Sequence, residues 1–332
     1  MKKIVVYLGN INPKKNSSWG IFNVSMKILE SLIASDKFEV TLVITDSNND
    51  LFSKVVCKKI YLPERKSTLA NKIFLDNYSL NKIIRKLKPT IVLFPRGFIP
   101  LKKQKKTTYI SLICDLIPLF YLKRFNPKAL LGIFLLIFSM KFSDKIITIS
   151  EYSKKQISKY SKKQIEVVPL GYDSKVLPTL KTPKGNAVFI LANKNPHKNL
   201  IKSIELIKRY NSLKKTNFKI SYHTGKLTSE ELARDYQNAK FSLFLSDIEG
   251  FGLPLIESYS YLTPVVFNNK TSLAEIGESL PGKCDVNSEE SVFNAIDEVL
   301  HLKESKVRIL RDALLKRYNW KEFGKKLIEI LD

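Results

Sequence analysis

The stretch Ser246-Asp247-Ile248-Glu249-Gly250-Phe251-Gly252-Leu253-Pro254-Leu255-Ile256-Glu257 decides the fold prediction for this chain. An apolar run at residues 241–245 comes directly before it and predicts a strand that is buried on both faces. Gly250 and Gly252 allow a tight turn that a ligand can approach closely. Pro254 fits the first turn of a helix, where its missing N–H costs nothing. The stretch therefore predicts a strand, a glycine turn and a helix in direct succession.

Two carboxylates of this stretch, Glu249 and Glu257, are candidate ligand contacts. Glu249 falls on the predicted turn, and Glu257 falls a turn into the predicted helix. Ligands of α/β sheets bind above the carboxyl ends of strands, so we expect both side chains at the mouth of a site. The alternative is an ordinary strand-to-helix connection with solvated acids, because single acidic residues are mostly found on the surface.

The sequence from Glu249 to Val265, EGFGLPLIESYSYLTPV, resembles the E-x7-E motif of retaining glycosyltransferases with the GT-B fold, in particular glycosyltransferase family 4. Leu262 stands where the family usually has glycine. The resemblance implies an α/β, GT-B architecture of two Rossmann-like domains facing across a cleft. It further implies an acceptor-side domain at residues 1–172, a nucleotide-sugar-binding domain at 173–316, and a C-terminal helix at 317–332 that crosses back to the first domain.

Length and patterning agree with this fold class. The 332 residues suffice for two domains, and both halves alternate apolar runs with helical patterns, which is typical of parallel sheets covered by helices. Residues 4–8 predict a first strand rather than a signal peptide. The longest apolar run, 129–140, is shorter than the roughly 20 residues of a membrane span; it predicts a buried helix, with a membrane-facing helix as the alternative. Three cysteines without paired spacing predict neither a disulfide nor a zinc site and fit a reducing cytosol.

The formal net charge of +25 is the unusual bulk property of the chain. Lysines occur in scattered twos and threes, including Lys102, Lys103, Lys105 and Lys106. Such a charge attracts nucleic acid or the anionic lipids of the cytoplasmic leaflet, and it also fits a solvated surface without any partner. Charge alone leaves these three interpretations open.

Residues 191–200, read as Leu-Ala-Asn-Lys-Asn-Pro-His-Lys-Asn-Leu, resemble the family segment "VGTLEPRKNL". Lys198 occupies the place of the family's diphosphate-binding lysine, where a helix start, backbone donors and an ammonium act together. Asn193 and His197 stand where other members carry arginine, which predicts a less cationic site. A surface lysine is the alternative for Lys198. Gly20, at the start of a predicted helix after the first strand, is a further candidate for backbone contact with phosphate.

Two further segments resemble family motifs. Residues 114–119, Cys-Asp-Leu-Ile-Pro-Leu, resemble "HDLxPL", which lines the cleft near the sugar. Asp115 matches that motif, although it also suits a cap of the following turn. The segment 223–232 resembles "LGxVSDEEL", whose backbone receives the nucleotide base; Gly225 and Leu227 are the corresponding donor-binding candidates.

The resemblance implies a role for each candidate. Lys198 stabilises the leaving diphosphate, Glu257 accepts the ribose hydroxyls, and Glu249 orients the sugar together with the backbone of Gly250, Phe251, Gly252 and Leu253. Glu249, Lys198 and Asp115 are thus the predicted catalytic residues. Front-face displacement is the implied mechanism. No Asp-x-Asp motif occurs in the site loops, so we expect metal independence and no cofactor apart from the nucleotide-sugar substrate.

The predicted function is that of a retaining hexosyltransferase of the mannosyl or rhamnosyl type. It would move a sugar from GDP-mannose or a similar donor to a glycan or lipid-linked acceptor of bacterial lipopolysaccharide O-antigen, capsule or exopolysaccharide. We expect a cytoplasmic protein that is peripheral at the inner face of the cell membrane and binds no nucleic acid. The alternatives are a non-catalytic GT-B partner subunit, a basic nucleic-acid-binding protein, which lacks any recognisable motif here, and an epimerase or phosphorylase on the same fold.

Overall fold

The structure, a computed structural model, describes residues 1–16, 19–62, 75–120, 127–173, 185–223 and 228–332. These residues form two compact units. The first comprises Met1–Pro169 and Trp320–Asp332, and the second comprises Leu170–Asn319. The sequence predicts boundaries after residues 172 and 316 instead, and the assignment of the units to acceptor and donor remains a proposal.

The described part of the first unit contains a seven-stranded parallel sheet with the order β3-β2-β1-β4-β5-β6-β7. Its strands are β1 (Lys2–Tyr7), β2 (Phe38–Thr45), β3 (Lys58–Leu62), β4 (Ile91–Phe94), β5 (Thr108–Leu112), β6 (Lys145–Thr148) and β7 (Ile165–Val167). The central strands consist of buried β-branched and apolar residues, as expected for a sheet covered on both faces. The parallel strands leave all their carboxyl ends at one edge.

Helices connect these strands, and their bounds are α1 (Pro13–Asn16), α2 (Trp19–Ile33), α3 (Leu80–Leu87), α4 (Ile117–Phe120), α5 (Pro127–Phe142) and α6 (Glu151–Ile157). A 3-10 helix at Asp46–Phe52 and a π-helical turn at Leu75–Ser79 complete the connections. Ser150 caps the start of α6, because its Oγ accepts the Ser153 N–H at 3.1 Å.

The second unit has a five-stranded parallel sheet within the described residues, with the order β12-β11-β10-β8-β9. Its strands are β8 (Ala187–Ile190), β9 (Lys219–Tyr222), β10 (Ala239–Phe244), β11 (Val265–Asn268) and β12 (Lys283–Cys284). Its helices are α7 (Leu200–Lys214), α8 (Ser229–Asn238), α9 (Leu253–Ser260), α10 (Thr271–Ile276), α11 (Glu289–Leu300) and α12 (Glu304–Arg317), with a 3-10 turn at Pro196–Lys198. The core of this unit lies between the sheet and helices α7 and α11.

The last helix, α13 (Trp320–Leu331), belongs to the first unit and packs on α2. The packing is close: a Cβ at Gly324 would lie 2.6 Å from Ser31 Oγ. At the end of the chain, the Asp332 carboxylate forms ion pairs with Lys2 and Lys37. The chain therefore returns to its first unit after completing the second.

One sequence prediction of local structure is wrong. The apolar helix α5 is not fully buried, because Leu130, Phe134 and Phe142 are 49%, 54% and 51% exposed. A helix on the surface of a sheet covers only one side of itself, so apolarity all round does not ensure burial. Among the described helices, none is long and apolar enough to cross a membrane.

Candidate active site

The two predicted halves of the donor site follow neighbouring strands of the second sheet. From β8 the chain adds β9 on one side and then crosses to β10, β11 and β12 on the other. Ligands of α/β sheets bind beside such a reversal of strand order, outside the carboxyl ends of the strands. Asn193 to Lys198 follow β8, and Ser246 to Glu249 follow β10. The fold thus brings segments fifty residues apart to one point of the sheet edge.

Lys198 and Glu249 meet at this point. The Lys198 ammonium donates to Glu249 Oε1 in an ion pair, and the two side chains are only 18% and 12% exposed. The Lys198 Nζ also lies 5.3 Å from the centroid of the Phe244 ring, which is within reach of a cation–π interaction. A lysine so largely buried does not fit the alternative of a solvated surface residue. Because an ammonium has three donors, Lys198 can hold Glu249 and an anion together.

Hydrogen bonds fasten the two loops to each other. The Asp247 N–H donates to the His197 carbonyl at 2.8 Å. Asn199 Nδ2 donates to the Leu245 carbonyl at 2.9 Å and to Asp247 Oδ1 at 2.7 Å. Asn199 itself has a φ of 52°, a left-handed conformation that asparagine adopts more readily than most residues. These hydrogen bonds therefore fix the two loops that carry the Lys198–Glu249 ion pair.

The predicted glycine turn and helix start are confirmed. Gly252 has a φ of +114°, and a Cβ there would lie 2.6 Å from Leu273 Cδ2, so both conformation and space require glycine. Helix α9 begins directly afterwards at Leu253 with Pro254 in its first turn. Ser272 Oγ donates to the Glu249 carbonyl at 2.9 Å and holds the start of the turn in place.

Glu257 lies in α9, and its environment differs from that of Glu249. Its Oε2 accepts the hydroxyl of Tyr236 at 2.9 Å, and no cation of the described residues pairs with it. Burial raises the pKa of Glu257 above its ordinary value, and the Tyr236 hydrogen bond opposes that rise. The two carboxylates therefore differ in their partners, because an ammonium pairs with Glu249 and a hydroxyl donates to Glu257.

His197 and Asn193 add little positive charge to the loop after β8. His197 is buried, and burial together with the charge of Lys198 lowers its pKa, so the imidazole is neutral at pH 7. Asn193 is exposed, and its Oδ1 accepts the Asn195 N–H at 2.9 Å. The substitutions that distinguish this chain from the family pattern are thus a neutral ring and a turn-forming amide.

The remaining candidates lie elsewhere. Gly20 is exposed in the first turn of α2, and a Cβ there would meet no described atom within 4 Å. Asp115 Oδ1 accepts the Ile117 N–H at 2.9 Å, as expected for a residue that caps a turn. Both belong to the first unit. Gly225 and Leu227, the predicted contacts of the base, lie outside the described residues.

No group of three or more His, Cys, Asp or Glu side chains among the described residues is arranged to hold a metal ion. Metal independence remains a prediction. The sequence reasoning missed Tyr236, which precedes Glu257 by twenty-one residues. The signal in the sequence is a tyrosine near the end of a mostly polar helix, just before a buried strand.

Comparison of the sequence and of the fold with known proteins finds glycosyltransferases. Residues 175–315 match the family described as "Glycosyl transferases group 1". A protein of Sulfolobus islandicus filamentous virus, named "Putative glycosyltransferase 48", is 39% identical over 83 residues. That match covers 25% of this chain and spans 26% of the viral protein.

Similar solved structures cover the whole chain. The HepE protein of Anabaena, solved in complex with UDP and glucose, superposes with a TM-score of 0.67 at 11% identity and covers 100% of this chain and 99% of its own. WaaG, a glycosyltransferase involved in lipopolysaccharide biosynthesis, superposes with a TM-score of 0.64 at 12% identity and covers 98% and 99%. The fold is GT-B, and the match to the group 1 family model covers residues 175–315 of the second unit.

Proposed function

We propose that this protein is a retaining glycosyltransferase of family 4. It transfers a sugar from GDP-mannose or a similar nucleotide-diphosphate sugar to a glycan or lipid-linked acceptor of a bacterial surface polysaccharide. The observation that carries this proposal is the contact between Lys198 and Glu249 at the strand-order reversal of the second sheet. The contact supports the proposal because a cation suited to a diphosphate lies beside a carboxylate suited to sugar hydroxyls, and Glu257 lies on the helix that follows.

The chemistry follows from these positions. The acceptor oxygen attacks the anomeric carbon while the bond from that carbon to the diphosphate oxygen breaks, and the departing diphosphate takes the acceptor proton on the same face. Negative charge grows on the leaving group, and the Lys198 ammonium stabilises that charge. Glu249 and the backbone from Gly250 to Leu253 orient the sugar. Glu257 accepts ribose hydroxyls, and the loop with Gly225 and Leu227 receives the base.

Two residues of the first unit are part of the proposal because their sequence motifs imply a role. Gly20 gives its backbone to the phosphates, which is compatible with the open space at its α-carbon. Asp115 faces the transferred sugar and its acceptor. The protein requires no metal ion, because Lys198 and backbone donors supply the compensation for charge.

The likeness to other proteins supports the substrate class. HepE holds UDP and glucose, and WaaG acts in lipopolysaccharide biosynthesis. The base, the donor sugar and the acceptor of this chain are part of the proposal.

We further propose that the first unit attaches to the anionic inner face of the cell membrane. Lys103 donates to the Phe142 carbonyl at 3.0 Å and pairs with Asp144, which ties the lysine-rich segment 102–106 to the end of α5. The exposed Phe142 therefore adjoins this basic loop, and the exposed Phe134 lies about two turns earlier on the same helix. Lys103 is already paired, so Lys102, Lys105 and Lys106 carry the attraction, at about 1 kcal/mol each.

A donor screen tests the central proposal. UDP-, GDP- and dTDP-sugars are compared by protection from thermal unfolding and by donor hydrolysis. Lys198→Ala should lower kcat/KM by about 30- to 1,000-fold, because one cation at the leaving group contributes about 2–4 kcal/mol. Activity should survive EDTA.

Lys194→Ala is the matched control, because Lys194 is an exposed lysine of the same loop. Equal effects of the two substitutions would contradict the role of Lys198. Loss of transfer in EDTA that Mg²⁺ restores would contradict metal independence. Retention on heparin without protection by any nucleotide sugar would favour the nucleic-acid alternative.

A further inference from the structure

Tyr236 lies beside the predicted ribose contact without being part of the E-x7-E stretch. It occupies the last turn of α8, is fully buried, and donates its hydroxyl to Glu257 Oε2 at 2.9 Å. The hydrogen bond has ordinary length and joins α8 to α9. A buried phenol has to satisfy its polar end, and here it does so on a carboxylate.

The Tyr236 ring is held in one orientation. It stacks on Tyr261 with ring centroids 5.2 Å apart and an interplanar angle of 10°. The edge of Phe189 packs against it at 5.1 Å. Thr263 Oγ1 donates to the Tyr236 carbonyl at 2.6 Å, which fixes the backbone as well. A hydroxyl on so firmly packed a ring dictates where the Glu257 carboxylate lies.

The Glu257 side chain has one hydrogen bond within the described residues, and Tyr236 makes it. Three tyrosines from different segments face the carboxylate: Tyr236 from α8, Tyr172 from the segment before β8, and Tyr261 after α9. Burial raises the pKa of each of these phenols, so none carries charge near neutral pH. In the part of the chain that the structure describes, no donor reaches Oε1, as expected of an atom that receives ligand hydroxyls.

We propose that Tyr236 is a positioning residue for Glu257: its hydroxyl holds one carboxylate oxygen so that the other is presented to the ribose hydroxyls of the donor nucleotide. This proposal rests on the proposed function, which assigns the ribose to Glu257. Removing the hydroxyl leaves the carboxylate both free to turn and harder to ionise, since the Tyr236 hydrogen bond is what opposes the effect of burial.

The consequence is a link between pH and ribose recognition. An ionised carboxylate accepts hydroxyl hydrogens with both oxygens, whereas a protonated one loses part of that capacity. Affinity for a nucleotide should therefore fall on acidification through the pKa of Glu257. In Tyr236→Phe the fall should occur at a higher pH, because the opposing hydrogen bond is gone.

Titration calorimetry of the full chain with UDP, and in parallel with GDP, tests the proposal from pH 5 to 8. At neutral pH Tyr236→Phe should weaken binding by about tenfold, as expected when a charged group loses a hydrogen bond. The 2′,3′-dideoxy forms of the same nucleotides should bind wild type and variant alike. The variant should therefore lose the difference in affinity between ribose and dideoxyribose nucleotides. A merely structural role of Tyr236 would leave that difference unchanged.

Tyr259→Phe is the matched control, because Tyr259 is equally buried on α9 but its hydroxyl has no hydrogen-bond partner among the described residues. It should retain wild-type affinity and the wild-type pH midpoint. In the Glu257→Gln background, Tyr236→Phe should have little further effect on binding, because the two changes act through one group.

The outcomes separate this proposal from the proposed function. If neither UDP nor GDP binds the wild-type protein, the proposed function fails. If wild type discriminates ribose from dideoxyribose and a folded Tyr236→Phe does so equally with the same pH midpoint, Tyr236 does not position Glu257. Additive effects in the double variant would overturn the proposal as well.

Discussion

Gly20→Ala distinguishes a glycine required by a ligand from one required by packing. Gly20 lies in the first turn of the fifteen-residue helix α2, and a Cβ there would meet no described atom within 4 Å. Alanine is favoured over glycine in a helix by about 0.5–1 kcal/mol. We therefore expect the free energy of unfolding of the first unit to rise by roughly that amount, which for a unit of this size raises Tm by about 1–4 °C.

The same substitution should impair catalysis. If the Gly20 backbone receives the phosphates of the donor, the added methyl group occupies the space that they need. We expect kcat/KM for the donor to fall at least about tenfold, which corresponds to about 1.4 kcal/mol. Tryptophan fluorescence reports the stability of the first unit, because both tryptophans, Trp19 and Trp320, lie in it.

Gly132→Ala is the matched control for this experiment. Gly132 lies within α5 of the same unit, and a Cβ there would also meet no described atom within 4 Å. It should raise Tm without changing kcat/KM. A stabilised Gly20→Ala with unchanged kinetics would remove Gly20 from the donor site, and a destabilised one would contradict the open space at its α-carbon.

Three further predictions concern the membrane, a strained residue and pH. Neutralising Lys102, Lys105 and Lys106 together should abolish cosedimentation with anionic vesicles, and wild type should lose it at high salt because the contacts are screened; equal binding to neutral vesicles would exclude the electrostatic mechanism. Leu262 has a φ of 56° and is only 4% exposed. Leu262→Gly should relieve about 1–2 kcal/mol of backbone strain but lose about 2–5 kcal/mol of side-chain packing. Urea unfolding should therefore show a net decrease in the free energy of unfolding. Glu257 holds its proton more tightly in the folded state, so stability should fall as pH rises above 4.5 through the raised pKa, and Glu257→Gln should remove that decline relative to wild type.

The local part of the candidate site is predictable from the sequence. The turn at Gly252 and the start of α9 depend on residues next to each other, and glycine and proline restrict those positions directly. The proximity of Lys198 to the E-x7-E stretch is also within reach, because both follow apolar strands and parallel strands end at one edge. The alternation of strands and helices predicts parallel sheets covered by helices, and the resemblance to family 4 glycosyltransferases implies their GT-B arrangement.

Most contacts between distant segments cannot be predicted in this way, because they do not lie at the shared edge of the parallel strands. Lys103 reads as one of several surface lysines, yet it pairs with Asp144 and reaches the end of α5. The exposed side of α5 cannot be read from a run that is apolar all round, because such a run does not show which side meets the sheet. Tyr236 acquires its partner only because the return from β10 into α9 lays Glu257 against the end of α8.

The two glutamates of the motif show why spacing alone does not define a site. Glu249 precedes the glycine turn, and Glu257 lies about one turn into the helix that follows it. In the fold, Glu249 meets the ammonium of Lys198, whereas Glu257 meets the neutral hydroxyl of Tyr236. A carboxylate paired with an ammonium suits a permanent contact for a sugar beside a diphosphate. A buried carboxylate whose hydrogen-bond partner among the described residues is one hydroxyl suits a different role. Its strength as an acceptor, and with it the affinity for ribose, changes with pH.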